Sequence, residues 1–204
     1  MTFIELKNPK TEKYLNLVGK IKTTNFPWSY FEDVLINKSH NEQKIPWYSH
    51  NVLNRCASIN QNSCIKSIYY QNFKEVLLEI FNFNSICIKR FYRINVNATH
   101  IFSDLIAPIH VDHTFKHQQL IIYLNNLKSK CPTYLFKQKW KDGDLNAYPP
   151  TTLEEGLNNF DIGAIIQPEE NKIISFDGLT YHSYEFPKNV NERRLCIVVT
   201  YCPL

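Results

Sequence analysis

A mainly β fold with α is predicted for this chain: a double-stranded β-helix (jelly roll, cupin-like) with an N-terminal helical layer. Three observations predict it. From residue 86 onward, short segments rich in β-branched and aromatic residues follow one another, separated by turn clusters such as PEEN, DG and PKNVNE and by no helical stretch. Before that point the apolar residues recur at helical spacing instead. Aromatic residues make up 14% of the chain, with 12 Tyr and 13 Phe, which suits a β-rich, well-filled interior.

The elements follow in order. Thr11 and then Glu12 open a helix running through Lys20, with Tyr14, Leu15 and Leu17 as its apolar residues. FPWSYFEDVL (26–35) packs aromatics beside a proline and reads as a buried corner. The clearest helix spans Asn72 to Phe83, where Phe73, Val76, Leu77, Ile80 and Phe81 line one face. Strands are expected in SICIKRFYRINVN (85–97), HQQLIIYLNN (117–126), PTYLFKQKW (132–140), GAIIQPEENKIISFDG (163–178) and RRLCIVVTYC (193–202). The 204 residues read as one domain, 1–204, with a helical or mixed layer over about 1–85 and the jelly-roll core over about 86–204.

Bulk properties exclude several function classes. The net charge is +4 and the lysines are scattered, as in Lys7, Lys10, Lys13, Lys20 and Lys22, which is a solvated face and not the basic stripe of a nucleic-acid binder. No segment is long and apolar enough to span a bilayer, and MTFIELKNPKTEKY is not a signal peptide. None of the 6 cysteines forms a CxxC pair, so a zinc knuckle is not indicated. The expectation is a cytoplasmic protein with reduced thiols, each cysteine a small core residue. The sequence does not indicate an oligomeric state.

One constellation carries chemistry. His110, Val111 and Asp112 form an H-x-D triplet. Residues two apart in an extended segment share a face, so an imidazole and a carboxylate can converge there. His182 follows the strand and turn KIISFDGLTY and supplies a second imidazole. Two histidines and one carboxylate are the facial triad of non-haem iron(II) sites, which leaves three coordination positions open. Arg194 opens RLCIVVTY after His182, and its guanidinium can bind a carboxylate bidentately. Tyr123, in LIIYLN, can share that carboxylate. Arg193 sits directly beside Arg194, and neighbours on a strand face opposite ways; Arg194 is preferred because it shares a face with Cys196 and Val198.

The order H-V-D, I-I-Y-L-N, P-T-Y-L-F, F-D-G-x-x-x-H and R-L-C-I-V-V-T-Y resembles the 2-oxoglutarate/Fe(II)-dependent dioxygenase superfamily, in its prolyl-hydroxylase-like and phytanoyl-CoA-hydroxylase-like branches. The resemblance covers about residues 86–204. It implies that His110, Asp112 and His182 ligate Fe(II), and that Arg194 and Tyr123 hold the far carboxylate of 2-oxoglutarate. It implies consumption of O2 with release of succinate and CO2, coupled to hydroxylation of a prime substrate. Because Asp112 is present, hydroxylation is favoured over halogenation. One departure is local: relatives often carry Gly-Gly before the position of Thr133, whereas this chain has Lys130, Cys131 and Pro132.

Other readings stay open at this level. A cupin-like metal enzyme that does not use 2-oxoglutarate assigns no role to Arg194, and a non-catalytic jelly-roll binding module assigns none to the triad. A zinc hydrolase lacks its H-E-x-x-H run, and Glu154–Glu155 lacks the second placed carboxylate of a glycosidase. His113 reads as a surface or supporting residue, His117 as one that could face substrate, His100 as structural, and His40 and His50 as exposed. Arg90 and Arg93 read as solvent-facing charges on an edge strand, ahead of a role as an anion clamp. Trp28, Tyr30, Trp47, Tyr69 and Tyr70 read as core ahead of substrate cleft. The identity of the prime substrate is not legible.

Overall fold

The computed structural model describes residues 3–32, 45–102, 104–149 and 151–204. The elements are β1 (Ile4–Leu6), α1 (Glu12–Ile21), β2 (Ser29–Phe31), β3 (Trp47–Leu53), α2 (Tyr70–Phe83), β4 (Ile88–Thr99), β5 (Gln118–Tyr123), β6 (Thr133–Lys139), α3 (Leu153–Gly156), β7 (Ile162–Ile166), β8 (Ile173–Asp177), β9 (Thr180–Tyr184) and β10 (Arg194–Pro203). The strands form a seven-stranded sheet in the order β1-β8-β5-β10-β4-β3-β2 and a three-stranded sheet in the order β7-β6-β9, with every pairing antiparallel. Two antiparallel sheets facing each other in this order make the double-stranded β-helix that the sequence predicts.

Period-two alternation sorts the large sheet into two faces. Ile94, Val96 and Ala98 of β4, Leu120 and Ile122 of β5, and Leu195, Ile197 and Val199 of β10 pack outward against α1 and α2. The helices answer with Tyr14, Leu17, Val18 and Ile21 from α1 and Phe73, Val76, Leu77, Ile80 and Phe81 from α2. Thr11 caps α1, its hydroxyl accepting from the Tyr14 amide at 3.3 Å. The opposite face looks into the space between the sheets. There Ile121, Tyr123, Ile174, Phe176, Cys196 and Val198 meet Leu135 and Ile166 of the small sheet.

The first 85 residues are less purely helical than the sequence reading has them. β1 pairs with β8, and β2 and β3 extend the large sheet beyond β4. β4 is therefore internal, not an edge strand. The stretch read as a buried corner places Trp28 against the core but leaves Tyr30 and Phe31 exposed on β2; its last residues, 33–35, and His40 lie outside the described residues. Of the cysteines, Cys56, Cys131 and Cys196 are buried, Cys64 and Cys87 are exposed, Cys202 lies between, and all six are free thiols. Among the described residues no helix is long and apolar enough to cross a membrane.

Candidate metal and carboxylate site

His182 sits in the middle of β9, opposite Leu135 of β6. His110 joins the free side of β9 by a two-way backbone bridge, each amide donating to the other residue's carbonyl at 3.0 Å. Residues paired this way present side chains to the same face, and the two imidazole centres stand 4.4 Å apart. Each ring is oriented by its own strand: Nδ1 of His110 lies 2.8 Å from the Pro108 carbonyl, and Nδ1 of His182 lies 3.1 Å from the Thr180 carbonyl. A carbonyl only accepts, so each Nδ1 carries the proton and each Nε2 offers a lone pair. Burial pushes both imidazoles below the usual histidine value, His182 to about 3 with His110 beside it adding to the effect, which keeps them neutral.

Asp112 completes the group: the ligand atoms of His110, Asp112 and His182 all lie within 4.8 Å of one another. Its carboxylate is buried, and Oδ1 accepts from Arg93 Nη1 at 2.5 Å and Arg55 Nη2 at 2.6 Å while Oδ2 accepts from Gln119 Nε2 at 2.5 Å. Burial alone would raise its pKa; the Arg93 and Arg55 guanidinium groups outweigh that and hold it well below the usual carboxylate range. The carboxylate is thus ionised and fixed. Two neutral imidazoles and one carboxylate converging on a point fit a first-row divalent metal ion.

Across the inner face of the large sheet, Arg194 is 3% exposed. Its Nη2 donates to Thr133 Oγ1 at 2.8 Å, and its guanidinium lies over the rings of Tyr184 at 4.6 Å and Tyr123 at 5.4 Å. Tyr123 and Thr133 share a hydroxyl–hydroxyl bond of 2.7 Å. Burial pushes the Tyr123 phenol up to about 12, so it stays protonated. Whichever hydroxyl donates in that bond, one hydroxyl proton remains uncommitted. The Arg194 Nε–H also has no partner among the described residues, and no carboxylate there lies within ion-pair distance of this guanidinium. A buried, unpaired guanidinium costs several kcal/mol unless an anion joins it. The pocket therefore fits a carboxylate.

All five residues singled out in the sequence, His110, Asp112, His182, Arg194 and Tyr123, thus line the space between the sheets. Arg193 turns the other way, its Nη2 reaching the Lys22 carbonyl at 3.5 Å. Several readings need correction. Arg93 is not a solvent-facing edge charge: β4 is internal, and the side chain, 13% exposed, binds Asp112. His50 is buried, between the Pro27 carbonyl and the Ser67 hydroxyl, not exposed. His113 is buried against the Thr200 hydroxyl at 2.8 Å, not at the surface. His117 is buried with Nε2 unpartnered, beside Gly178. Arg90 lies over the Tyr92 ring, and His100 packs on Tyr48.

Sequence reasoning missed Arg55, Gln119, Thr133 and Tyr184. Gln119 was findable, since it shares a strand face with Ile121 and Tyr123. So was the role of Arg93, because Arg93, Asn95, Asn97 and Thr99 make a polar row opposite the apolar Ile94, Val96 and Ala98. The Gly-Gly departure also resolves structurally: Lys130 (φ 64°) and Cys131 (φ 49°) both adopt the left-handed conformation that glycine takes without cost.

This is the fold of the 2-oxoglutarate/Fe(II) oxygenases, and solved members of that family are its structural neighbours. An oxidoreductase of the 2OG-Fe(II) oxygenase family from Burkholderia pseudomallei matches with a TM-score of 0.58 at 10% identity, over 92% of this chain and 76% of that one. The epimerase SnoN, solved in complex with Fe3+, alpha ketoglutarate and nogalamycin RO, matches at 0.59 and 10%, over 98% and 78%. A prolyl hydroxylase from Trichoplax adhaerens, in complex with a hypoxia inducible factor oxygen degradation domain peptide fragment, matches at 0.52 and 12%, over 98% and 83%. No protein-family model and no curated protein matches the sequence.

Proposed function

We propose that the protein is a 2-oxoglutarate-dependent, non-haem Fe(II) dioxygenase, an oxidoreductase that hydroxylates a prime substrate. The observation that carries the reading is Arg194. A guanidinium is buried between two tyrosine rings with a free N–H and an uncommitted hydroxyl proton beside it, on the same inner face as a His-Asp-His group. A metal-binding group alone suits many jelly-roll proteins; a carboxylate pocket beside it suits a metal-chelating 2-oxo acid.

In this reading His110, Asp112 and His182 ligate iron. Arg194, Thr133 and Tyr123 bind the far carboxylate of 2-oxoglutarate. Bound iron, 2-oxoglutarate and O2 supply oxidative decarboxylation to succinate and CO2 together with oxidation of a substrate C–H bond. Arg93 and Gln119 fix the Asp112 carboxylate so that it keeps one geometry. The Pro108 and Thr180 carbonyls hold the two imidazoles in the ligating tautomer. Phe176 packs on His182 and, with Ile121, Ile174 and Val198, makes the part of the inner face beside it apolar.

The test is an anaerobic titration of the metal-free chain with Fe(II) and then 2-oxoglutarate, following the weak visible charge-transfer band of the chelate. The band is expected to appear, and Arg194→Ala is expected to abolish it at the same concentrations while leaving iron binding in place. Iron binding without a band would overturn the use of 2-oxoglutarate, and no iron binding would overturn the metal site.

A further inference from the structure

The inner face of the large sheet does not end at the site. Strand register carries it on from β10 across β4 to β3: Arg194 is paired with Thr99, Cys196 with Asn97 and Asn97 in turn with Ser49, Val198 with Asn95 and Asn95 in turn with Asn51, and Thr200 with Arg93. On the β5 and β8 side of β10 this face is apolar, apart from Gln119 and the Tyr123 hydroxyl, and packs against the small sheet. On the β4 and β3 side it is polar throughout. Part of the polarity is satisfied internally, as Asn95 Nδ2 donates to Ser49 Oγ at 2.7 Å and Ser49 Oγ donates to Asn97 Oδ1 at 3.3 Å. Part is not. Thr99 Oγ1, Asn51 Oδ1 and the Trp47 indole N–H are buried without a hydrogen-bond partner among the described residues, and so is Gln119 Oε1 beside Asp112. Buried polar atoms are rarely left unpaired, and here three lie on the β4–β3 wall while Gln119 faces the same space from β5.

Charge points the same way. Arg55 and Arg93 share a single carboxylate, Asp112, as their ion-pair partner among the described residues. In the proposed chelate, the two positive charges of Fe(II) are balanced by Asp112 and by the 2-oxoglutarate carboxylate at the metal, while Arg194 takes the other carboxylate. Both Arg55 and Arg93 are then in excess. Arg93 is held within the sheet, but Arg55 comes from the segment after β3 and keeps 42% of its side chain exposed, so it can turn to a ligand.

We propose that the prime substrate is a small, hydrogen-bond-rich carboxylic acid, an amino acid or a polyhydroxy acid, that lies on the polar β4–β3 wall with its carboxylate on Arg55. This rests on the dioxygenase reading and narrows it. The substrate's N–H or O–H groups meet the unpartnered acceptors Asn51 Oδ1 and Gln119 Oε1, and its acceptors meet the Trp47 N–H. The wall discriminates against apolar acids, which would leave those groups unpaired.

The experiment is an anaerobic binding screen on the full chain carrying Fe(II) and 2-oxoglutarate, read by perturbation of the charge-transfer band and by calorimetry. The probes are the twenty free L-amino acids and a set of sugar acids, with their carboxamides and with octanoate as controls. At least one polar acid is expected to bind, its carboxamide at least about tenfold more weakly. Arg55→Ala is expected to weaken the acid by a similar factor, the size of one charge-assisted hydrogen bond, beyond any weakening of the chelate that follows from losing its contact with Asp112, which is measured separately with no acid present. Which panel holds the ligand distinguishes the two sources. The inference is overturned if the band forms but no polar acid perturbs it, if octanoate or the carboxamide binds equally well, or if Arg55→Ala changes nothing. If the band itself never forms, the dioxygenase reading falls first and this inference with it.

Discussion

Gly178 gives a sharp test of how tightly the site is packed. A Cβ built there would lie 2.1 Å from His117 Nε2 and 2.2 Å from Cδ2, far inside contact distance. The ring has nowhere to go. Its Nδ1 is held at 2.7 Å by the Phe115 carbonyl, it packs edge-on against His113 at 4.9 Å, and it is fully buried. The Gly178 backbone is also tied, its amide donating to the His117 carbonyl at 3.0 Å. Its φ is not in the left-handed region, so the penalty of Gly178→Ala is steric rather than conformational. Overpacking of this kind costs about 1–3 kcal/mol. Alanine returns roughly 0.4–1 kcal/mol by restricting the unfolded chain. The net loss is then about 1–2 kcal/mol, or roughly 2–8 °C in Tm for a chain of this size. Urea unfolding of the metal-free protein, followed by circular dichroism, measures it. Adding His117→Ala removes the obstacle, so the double variant should be less destabilised than the sum of the singles. A fully additive pair, or a Gly178→Ala protein as stable as the parent, would refute this packing.

Further outcomes follow from the charged groups. Arg194→Met should raise the stability of the metal-free protein by about 1–3 kcal/mol while removing the proposed 2-oxoglutarate binding, because a buried charge without an ion-pair partner among the described residues is replaced by an apolar chain of similar volume; a fall in Tm would count against the pocket as described. Asp112→Ala should cost about 3–5 kcal/mol without any metal present, since it strands Arg93 in the sheet, and urea midpoints would reveal whether it behaves instead like a surface substitution. His113 and His182 both have folded values lowered to about 3 by burial, so below the usual value of 6.5 the unfolded chain binds more protons and acid favours unfolding. Stability should therefore be complete above about pH 6.5 and fall by up to ~1.4 kcal/mol per unit per histidine down to pH 3, and a flat profile from pH 7 to 4 in chemical denaturation would contradict their burial. Lys130→Gly should be neutral or stabilising by up to about 1 kcal/mol, as the left-handed backbone no longer carries a Cβ, whereas Lys130→Val should destabilise; thermal melts of the pair would expose an error if the order reversed.

Period-two alternation made the outer face of the sheet legible, because Ile94, Val96 and Ala98 face the helices and need nothing but apolarity. The same strand defeated the reading of Arg93. Whether a strand is central or at the edge depends on which distant segments flank it, and β3 and β10 come from opposite ends of the sequence. The triad was legible because H-x-D is local and the late histidine followed a recognisable strand and turn. Arg55 was not, since it meets Asp112 across 57 positions from a segment with no periodic signal. Tyr30 and Phe31 were misjudged for a related reason: β2 is the last strand of its sheet, so aromatic residues there face outward.

The place of β10 has a consequence for how the chain comes into being. It comes after the other nine described strands in sequence order, yet it lies at the centre of the large sheet, hydrogen-bonded to β5 on one side and β4 on the other. Until it docks, β4 and β5 present open edges to each other, and the strand bearing Arg194 is missing from the gap between them. Closure therefore waits on contacts of long sequence separation, which slows folding and leaves sticky intermediates exposed.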